Sequence, residues 1–240
     1  MAQQLIEFKV SRYKQGRPEP TWQTFRTLCD ENTTVLVALQ DIRHDEDPSL
    51  TLRHSCHHAS CGTCGMRVNG REGLGCVVKV LELGTPTVTV EPMRNLPLIS
   101  DLVVEMEPFY DRFNSAAMPF VRESEYLDDA EVAEGLEAYS RFENCIECNL
   151  CMSVCPIMGS DETYLGPATL AAAWRVVEDP RGLDSKPVFD WVDSGNGCWR
   201  CHVAYECNVA CPSDVYPGDQ IMALRRESTK RKFRGLFGRK

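Results

Sequence analysis

Apolar and polar residues alternate along three stretches of the first hundred residues, as they do in strands that bury one face. The first stretch covers residues 5–12, and residues 21–28 show the same alternation after a turn at Gly16 and Pro18. Two such stretches around a turn predict a β-hairpin. Residues 85–91 also alternate and predict a strand that closes the domain.

A helical spacing of apolar residues lies between the hairpin and the closing strand. Thr33 or Thr34 can cap this helix, and the pair Asp47-Pro48 ends it. Further along, Val68-Asn69-Gly70 predicts a tight turn. The apolar residues of the predicted helix are Val35, Leu36, Leu39 and Ile42.

The pattern becomes helical beyond Pro108, because residues 126–142 and 168–177 combine helical apolar spacing with many strong helix formers. The pair Glu107-Pro108 disfavours a helix that continues across it, so we place a domain boundary there. The predicted fold class is α+β. The predicted domains are residues 1–106, which mix strands and helix, and residues 107–240, which are all-α.

Cysteine is the residue type that departs from an ordinary globular composition. The chain has 13 cysteines in 240 residues, with 43% hydrophobic and 25% charged residues. Twelve of the 13 lie in three tight groups. Cysteines two residues apart suit one metal centre better than a disulfide, so the groups predict metal ligands.

Charge and hydropathy restrict where the protein works. The formal net charge of −9 disfavours a nucleic-acid surface. Residues 230–240 hold six Lys or Arg and no acid, which suits either a solvated terminus or docking against anionic headgroups or a membrane subunit. The start lacks a signal-peptide pattern, and no apolar run approaches the roughly 18 residues of a membrane span. We therefore expect a cytoplasmic location, with any membrane link supplied by a partner.

The first cysteine group predicts a 2Fe-2S cluster. Cys56, Cys61 and Cys64 are separated by four and two residues, and Cys76 follows after eleven more. This is the spacing of plant-type ferredoxins. Zinc is the alternative, although zinc ligands usually form close pairs separated by a longer gap. Three glycines beside the ligands allow the loop to approach a cluster closely: Gly62, Gly65 and Gly75.

The second group predicts one half of a crossed pair of clusters. Cys145, Cys148, Cys151 and Cys155 precede Pro156 with the spacing of bacterial two-cluster ferredoxins. In that arrangement the fourth cysteine binds the other cluster, so a reciprocal group is required.

The third group supplies the reciprocal half, with Cys201, Cys207 and Cys211 before Pro212 and with Ala204 where a middle cysteine would stand. Crossing the groups gives four thiolates for one cluster and three for the other. The four suit a 4Fe-4S cluster: Cys145, Cys148, Cys151 and Cys211. The three suit a 3Fe-4S cluster, because Ala204 cannot bind iron: Cys155, Cys201 and Cys207.

Two cysteines lie outside these sets. Cys198 precedes Cys201 by three residues and is either an extra ligand or a small buried hydrophobe. Cys29 stands alone in a predicted strand and is interpreted as a small buried hydrophobe.

This order of cysteine groups resembles the iron-sulfur subunit of succinate dehydrogenases and fumarate reductases. Residues 90–97 and 101–104 resemble the stretch that leaves the first domain in that family, and Leu165-Gly166-Pro167 is similar too. The resemblance implies an N-terminal β-grasp domain of the plant-type ferredoxin kind and a C-terminal all-α ferredoxin-like domain.

The resemblance also implies partners. One is a flavoprotein with covalent FAD, where succinate and fumarate are interconverted, and the other is a membrane anchor that binds quinone, with or without haem. Electrons would pass singly from flavin through the 2Fe-2S, 4Fe-4S and 3Fe-4S clusters to quinone. The chain would then be a peripheral subunit at the cytoplasmic face of the membrane, without catalytic residues of its own.

The match to the family at the quinone end is partial. Pro156 and His202 correspond to family residues that approach quinone, and Arg225 resembles a basic residue near that site, although a surface or helix-capping role is the alternative. The family's tryptophan after the proline has no counterpart before Gly166. An iron-sulfur subunit of another flavin-linked reductase is one rival function, although the CCG motifs expected there are absent. A zinc-stabilised interaction module without a redox role is the other.

Overall fold

The computed structural model describes residues 3–114, 144–179 and 184–237. The chain divides into two compact units, one formed by residues 1–106 with 146–153 and the other by residues 107–145 with 154–240. The first unit thus includes a short segment from the second half of the chain. The division into independently folding domains after residue 106 stays a prediction, and the helix predicted at 126–142 lies outside the described residues.

A five-stranded sheet forms the frame of the first unit. The strand order is β2-β1-β5-β3-β4, in which β1 pairs antiparallel with β2 and parallel with β5. The predicted hairpin and closing strand are both confirmed, and the closing strand lies beside the first strand in the chain. The strands are β1 (Gln4–Arg12), β2 (Thr21–Cys29), β3 (Gly65–Val68), β4 (Arg71–Leu74) and β5 (Thr87–Glu91).

Helix α1 (Val35–Asp45) begins where the sequence predicted, since the Thr34 hydroxyl accepts the amide N–H of Val37. The turn between β3 and β4 is also confirmed, with Asn69 and Gly70 both at positive φ, 49° and 78°. Helix α1 buries its apolar side: Val35, Leu36, Ala38, Leu39 and Ile42. The unit is completed by the short strands β6 (Leu98–Ser100) and β7 (Val103–Val104), a 3₁₀ turn (Leu81–Leu83) and helix α3 (Leu150–Val154).

The second unit contains no strand among its described residues. Its helix α2 starts at Glu107 with Pro108 in the first turn, a position that lacks an intrahelical N–H partner in any case. Helix α4 buries Leu170, Ala171 and Val176 and packs against α7. The helices are α2 (Glu107–Asn114), α4 (Pro167–Glu178), α5 (Lys186–Val192), α6 (Glu206–Val209) and α7 (Pro217–Phe237), with a 3₁₀ turn at Cys198–Arg200.

None of the helices in the described ranges is both long enough and apolar enough to pass through a bilayer.

A buried ion pair fastens the end of the first unit to its sheet. Arg12 Nε donates to Asp101 Oδ1 at 3.0 Å, and its terminal nitrogens donate to Asp47 Oδ2 at 2.7 Å and Ser49 Oγ at 2.8 Å. Asp101 Oδ2 accepts the amide N–H of Thr51 at 2.8 Å. Hydrogen bonds from Ser49 and then from Arg12 hold the pKa of Asp47 well below its usual range. The network joins segments that lie far apart in sequence.

Removing the charge of Asp101 should destabilise the first unit. We expect Asp101→Asn to lower the free energy of unfolding by about 1–3 kcal/mol, because the buried guanidinium of Arg12 keeps Asp47 but loses the charge of its more buried partner. Asparagine tolerates the positive φ of 44° at this position, so backbone strain is not added. Urea denaturation of the full chain, followed by circular dichroism, measures the change.

The matched control is Glu82→Ala, which removes the exposed ion pair with Lys79 at 3.4 Å. A change within about 0.5 kcal/mol is expected there. Equal unfolding curves for Asp101→Asn and the unmodified chain would contradict the role given to the buried pair.

Candidate metal centres

The loop that carries the first cysteine group directs backbone amides at sulfur. Cys56 Sγ receives the amide N–H groups of His58 at 3.5 Å and of Ser60 and Cys61 at 3.3 Å. Cys76 Sγ receives that of Ala59 at 3.4 Å. Amide donors stabilise a thiolate without adding a charge, which is the environment that an iron-sulfur centre needs.

The loop achieves this through left-handed backbone conformations. His57 and Ala59 have φ of 63° and 60°, and Gly62 has φ of 70°. Such conformations cost a non-glycine residue about 1–2 kcal/mol each. They turn successive N–H groups to the same side of the chain, and the hydrogen bonds to sulfur offset the cost.

The four cysteines of this group lie together within the first unit. The amide of His58 lowers the pKa of Cys56 to about 7, with further hydrogen bonds from Cys61. Burial raises the pKa of Cys64 to about 12, and the neighbouring thiols of Cys76 and Cys61 add to the effect. One wall of the site is thus buried and the other is lined by amides. These residues fit a 2Fe-2S cluster, and the assignment of all four as ligands stays a prediction.

The glycines of this loop lie close to other parts of the protein. A Cβ on Gly62 would lie 2.8 Å from Cys148 Cβ and 2.9 Å from the carbonyl oxygen of Ile146. A Cβ on Gly65 would lie 3.3 Å from the carbonyl oxygen of Cys148. The first cysteine loop therefore packs directly on the start of the second within one unit. Gly75 instead faces the side chain of Met66.

The segment from Ile146 to Ser153 is also tied to the sheet. Ser153, which is fully buried, accepts the amide N–H of Arg94 at 2.8 Å and donates to Glu72 Oε1 at 3.2 Å. Asn95 Nδ2 donates to the carbonyl oxygens of Met152 and Ser153 at 2.9 Å. These bonds fix helix α3, which carries Cys151.

The second and third cysteine loops share one backbone conformation. The residues two and four positions after Cys145 are Glu147 and Asn149, with φ of 53° and 66°. The residues two and four positions after Cys201 are Val203 and Tyr205, with φ of 61° and 59°. Ala204 therefore occupies the position of Cys148 in a loop of the same form. The third loop thus keeps the left-handed positions of the second loop but lacks one of its cysteines.

The predicted ligands of the 3Fe-4S cluster come together in the second unit. Cys155, Cys201 and Cys207 line one concavity, and Ala204 lies on its wall. Burial, followed by the charges of Cys155 and Cys201, raises the pKa of Cys207 to about 12. Burial also raises the pKa of Cys155, and Cys201 contributes to it. The amide N–H of Val203 donates to Cys201 Sγ at 3.3 Å. Three thiols and a methyl group around one concavity fit a cluster with three irons.

The 4Fe-4S ligand set stays a prediction. Cys148 and Cys151 belong to the first unit, whereas Cys145 and Cys211 belong to the second. Cys211 Sγ accepts the amide N–H of Val215 at 3.4 Å. Among the described residues, no three His, Cys, Asp or Glu side chains are placed to surround a single metal ion.

Two of the three residues predicted near quinone line the same concavity, namely Pro156 and His202. Arg225 does not line it. Its guanidinium donates to the carbonyl oxygens of Cys198 at 2.7 Å, Trp199 at 3.0 Å and Cys201 at 2.5 Å. Arg225 thus holds the backbone that leads into Cys201, which agrees with the capping alternative.

The two remaining cysteines are buried. Cys198 is fully buried and absent from the lining of the concavity, and burial raises its pKa to about 11, with Asp193 adding to the effect. Cys29 ends β2, is also fully buried and has a pKa raised to about 11 by burial. Both match the interpretation as small hydrophobes.

Sequence reasoning missed Tyr164. This residue is fully buried and lines the concavity with the three cysteines. Its position just before Leu165-Gly166-Pro167 was a signal, but an aromatic residue there is indistinguishable from a core residue until its neighbours are known.

Comparison with known proteins agrees with this arrangement. Residues 7–111 match the 2Fe-2S iron-sulfur cluster binding domain, and residues 141–215 match the 4Fe-4S dicluster domain. Fold and sites therefore define an iron-sulfur protein with a two-iron domain followed by a two-cluster domain.

Sequence identity to individual proteins narrows the assignment to one family. The chain is 36% identical to the fumarate reductase iron-sulfur subunit of Mycobacterium tuberculosis over 92% of this chain and 91% of that protein. It is 33% identical to the same subunit of Escherichia coli over 94% and 93%. The chain belongs to the family of iron-sulfur subunits of succinate dehydrogenase and fumarate reductase, and it serves electron transfer in such a complex.

A solved structure shares the fold. The match is to the Mycobacterium smegmatis Sdh1 complex in the apo form, with a TM-score of 0.85 at 21% identity, over 97% of this chain and 98% of that one.

Replacing Gly62 should disrupt the packing of the two cysteine loops. We expect Gly62→Ala to lower the iron content and the visible absorbance of the purified chain, because the new Cβ meets backbone that cannot move aside. Iron analysis and absorbance per chain measure the effect.

Gly84→Ala is the matched control, since Gly84 has a similar φ of 63° but nothing within 4 Å of a new Cβ. It should cost only the backbone strain of about 1–2 kcal/mol and retain full iron. If both variants lose iron equally, backbone strain and not the contact with Cys148 is the cause.

Proposed function

We propose that the chain carries three iron-sulfur clusters and passes single electrons between a flavoprotein that interconverts succinate and fumarate and a membrane quinone. The ligands are Cys56, Cys61, Cys64 and Cys76 for 2Fe-2S, Cys145, Cys148, Cys151 and Cys211 for 4Fe-4S, and Cys155, Cys201 and Cys207 for 3Fe-4S. The two domains are residues 1–106 and 107–240.

The observation that carries the proposal is Ala204. It stands at a ligand position in a loop whose backbone matches that of the preceding group. A methyl group cannot bind iron, and the concavity around it holds three thiols. This arrangement supports a three-iron cluster at the end of the series.

When bound, such clusters change charge by one electron with little movement of their ligands, and their potentials depend on hydrogen bonds and burial. The chain controls both quantities. The amides around Cys56 favour the more negative state of the first site. Burial at Cys155 and Cys207 opposes added negative charge at the third. The surroundings of each sulfur therefore contribute to the reduction potential of its own cluster.

Membership of the family supports the partners. We propose an FAD-containing flavoprotein subunit and a membrane anchor that binds quinone, with the chain held at the cytoplasmic face of the membrane by those subunits. Pro156 and the exposed His202 lie on the concavity of the third site and are the proposed quinone contacts. Arg225 would act indirectly, because its guanidinium donates a hydrogen bond to the carbonyl oxygen of Cys201, the residue before His202.

A fourth thiol at position 204 should complete the third cluster. We expect Ala204→Cys to gain one iron per chain and to lose the electron paramagnetic resonance (EPR) signal of an oxidised three-iron cluster. Iron and sulfide analysis with EPR spectroscopy of the air-oxidised protein measures both changes.

The control is Val209→Cys, which adds a thiol on an exposed side chain that does not line the concavity. It should leave both the iron count and the signal unchanged. A wild-type protein that has zinc in place of iron, or that lacks the three-iron signal when fully loaded, would overturn the cluster assignment.

Coupling to succinate is tested on the native complex. We expect succinate to reduce the higher-potential clusters and dithionite to reduce all three, as followed by redox-titrated EPR. Reduction by dithionite with no response to succinate, in a complex that retains its flavoprotein, would exclude the proposed reaction.

A further inference from the structure

Tyr164 is held in a fixed position by its backbone. Its amide N–H donates to the carbonyl oxygen of Asp161 at 3.2 Å, and its own carbonyl accepts Arg112 Nε at 3.3 Å. Helix α4 begins three residues later, after Gly166 with φ of 87°. These bonds fix the backbone of Tyr164, and the burial of its ring restricts the side chain.

The side chain of Tyr164 reaches the third site from its buried side. The residue is only 1% exposed and lines the concavity together with Cys155, Cys201 and Cys207. Its hydroxyl lies within reach of the Cys201 sulfur. A buried hydroxyl needs a partner, and a thiolate can only accept, so the phenol is the donor.

The Cys201 sulfur accepts the amide N–H of Val203 at 3.3 Å and lies on the concavity that the buried ring of Tyr164 also lines. Donors to a ligand sulfur withdraw charge from it and stabilise the reduced state of the cluster, which carries one more negative charge. They therefore raise the reduction potential.

We propose that Tyr164 sets the reduction potential of the third cluster through the hydrogen bond from its hydroxyl to Cys201. This inference rests on the proposed assignment of Cys155, Cys201 and Cys207 as the ligands of that cluster. It makes Tyr164 a tuning residue that has no contact with substrate.

The test is a redox titration of the three-iron EPR signal in the complete complex. Tyr164→Phe removes the hydroxyl and keeps the ring, so we expect reduction to become less favourable by about tenfold, a fall of about 59 mV for one electron. Iron content and the shape of the oxidised signal should be unchanged.

Tyr205→Phe is the control. Tyr205 lines the same concavity but is 37% exposed, and its replacement should leave the potential at the wild-type value. A fall of equal size in both variants would contradict a specific role for Tyr164.

A second variant covers the case in which Tyr164→Phe loses its cluster. Tyr164→3-fluorotyrosine keeps the hydroxyl and makes it a stronger donor, so the potential should rise. An unchanged potential in a loaded variant of either kind overturns the inference while the three-iron assignment stands. A wild-type complex without the three-iron signal overturns the assignment itself.

Discussion

The hydrogen bond from backbone N–H to cysteine sulfur is the interaction on which the candidate centres depend. A buried thiolate is costly unless donors surround it, and side-chain cations would change the charge of the site. Backbone amides solve this only if the chain takes left-handed turns, as at His57 and Ala59. The spacing of the cysteines is therefore a consequence of the turns that bring amides and sulfur together.

The same constraint explains why the second and third loops are alike despite their different ligand counts. Val203 and Tyr205 repeat the left-handed positions of Glu147 and Asn149, although Ala204 has replaced a cysteine. The amide of Val203 still points at Cys201. The backbone conformation of the loop therefore does not depend on the number of its cysteines. The side chain at position 204 alone decides whether the site suits three irons or four.

Much of this could be predicted from the sequence, because it depends on local pattern. The hairpin, helix α1 with its Thr34 cap and the turn at Asn69-Gly70 follow from alternation, capping and turn chemistry. Cysteine spacing indicated the family that the comparisons confirm. Ala204 was visible as a missing ligand.

The rest depends on contacts between distant residues. The parallel pairing of β1 with β5, the contact of Gly62 with Cys148 and the hold of Arg225 on the loop before Cys201 have no local signature. Tyr164 was missed for the same reason, since only the folded chain shows which side of its ring faces the thiols.

The return of residues 146–153 to the first unit has a consequence for biosynthesis. Leu150 is fully buried in that unit beside Gly65, and Ser153 binds Arg94. A ribosome that has released only the first hundred residues has not yet supplied these groups. The N-terminal unit therefore closes only after more than half of the polypeptide has emerged, and until then the first cysteine loop lacks the backbone it packs against.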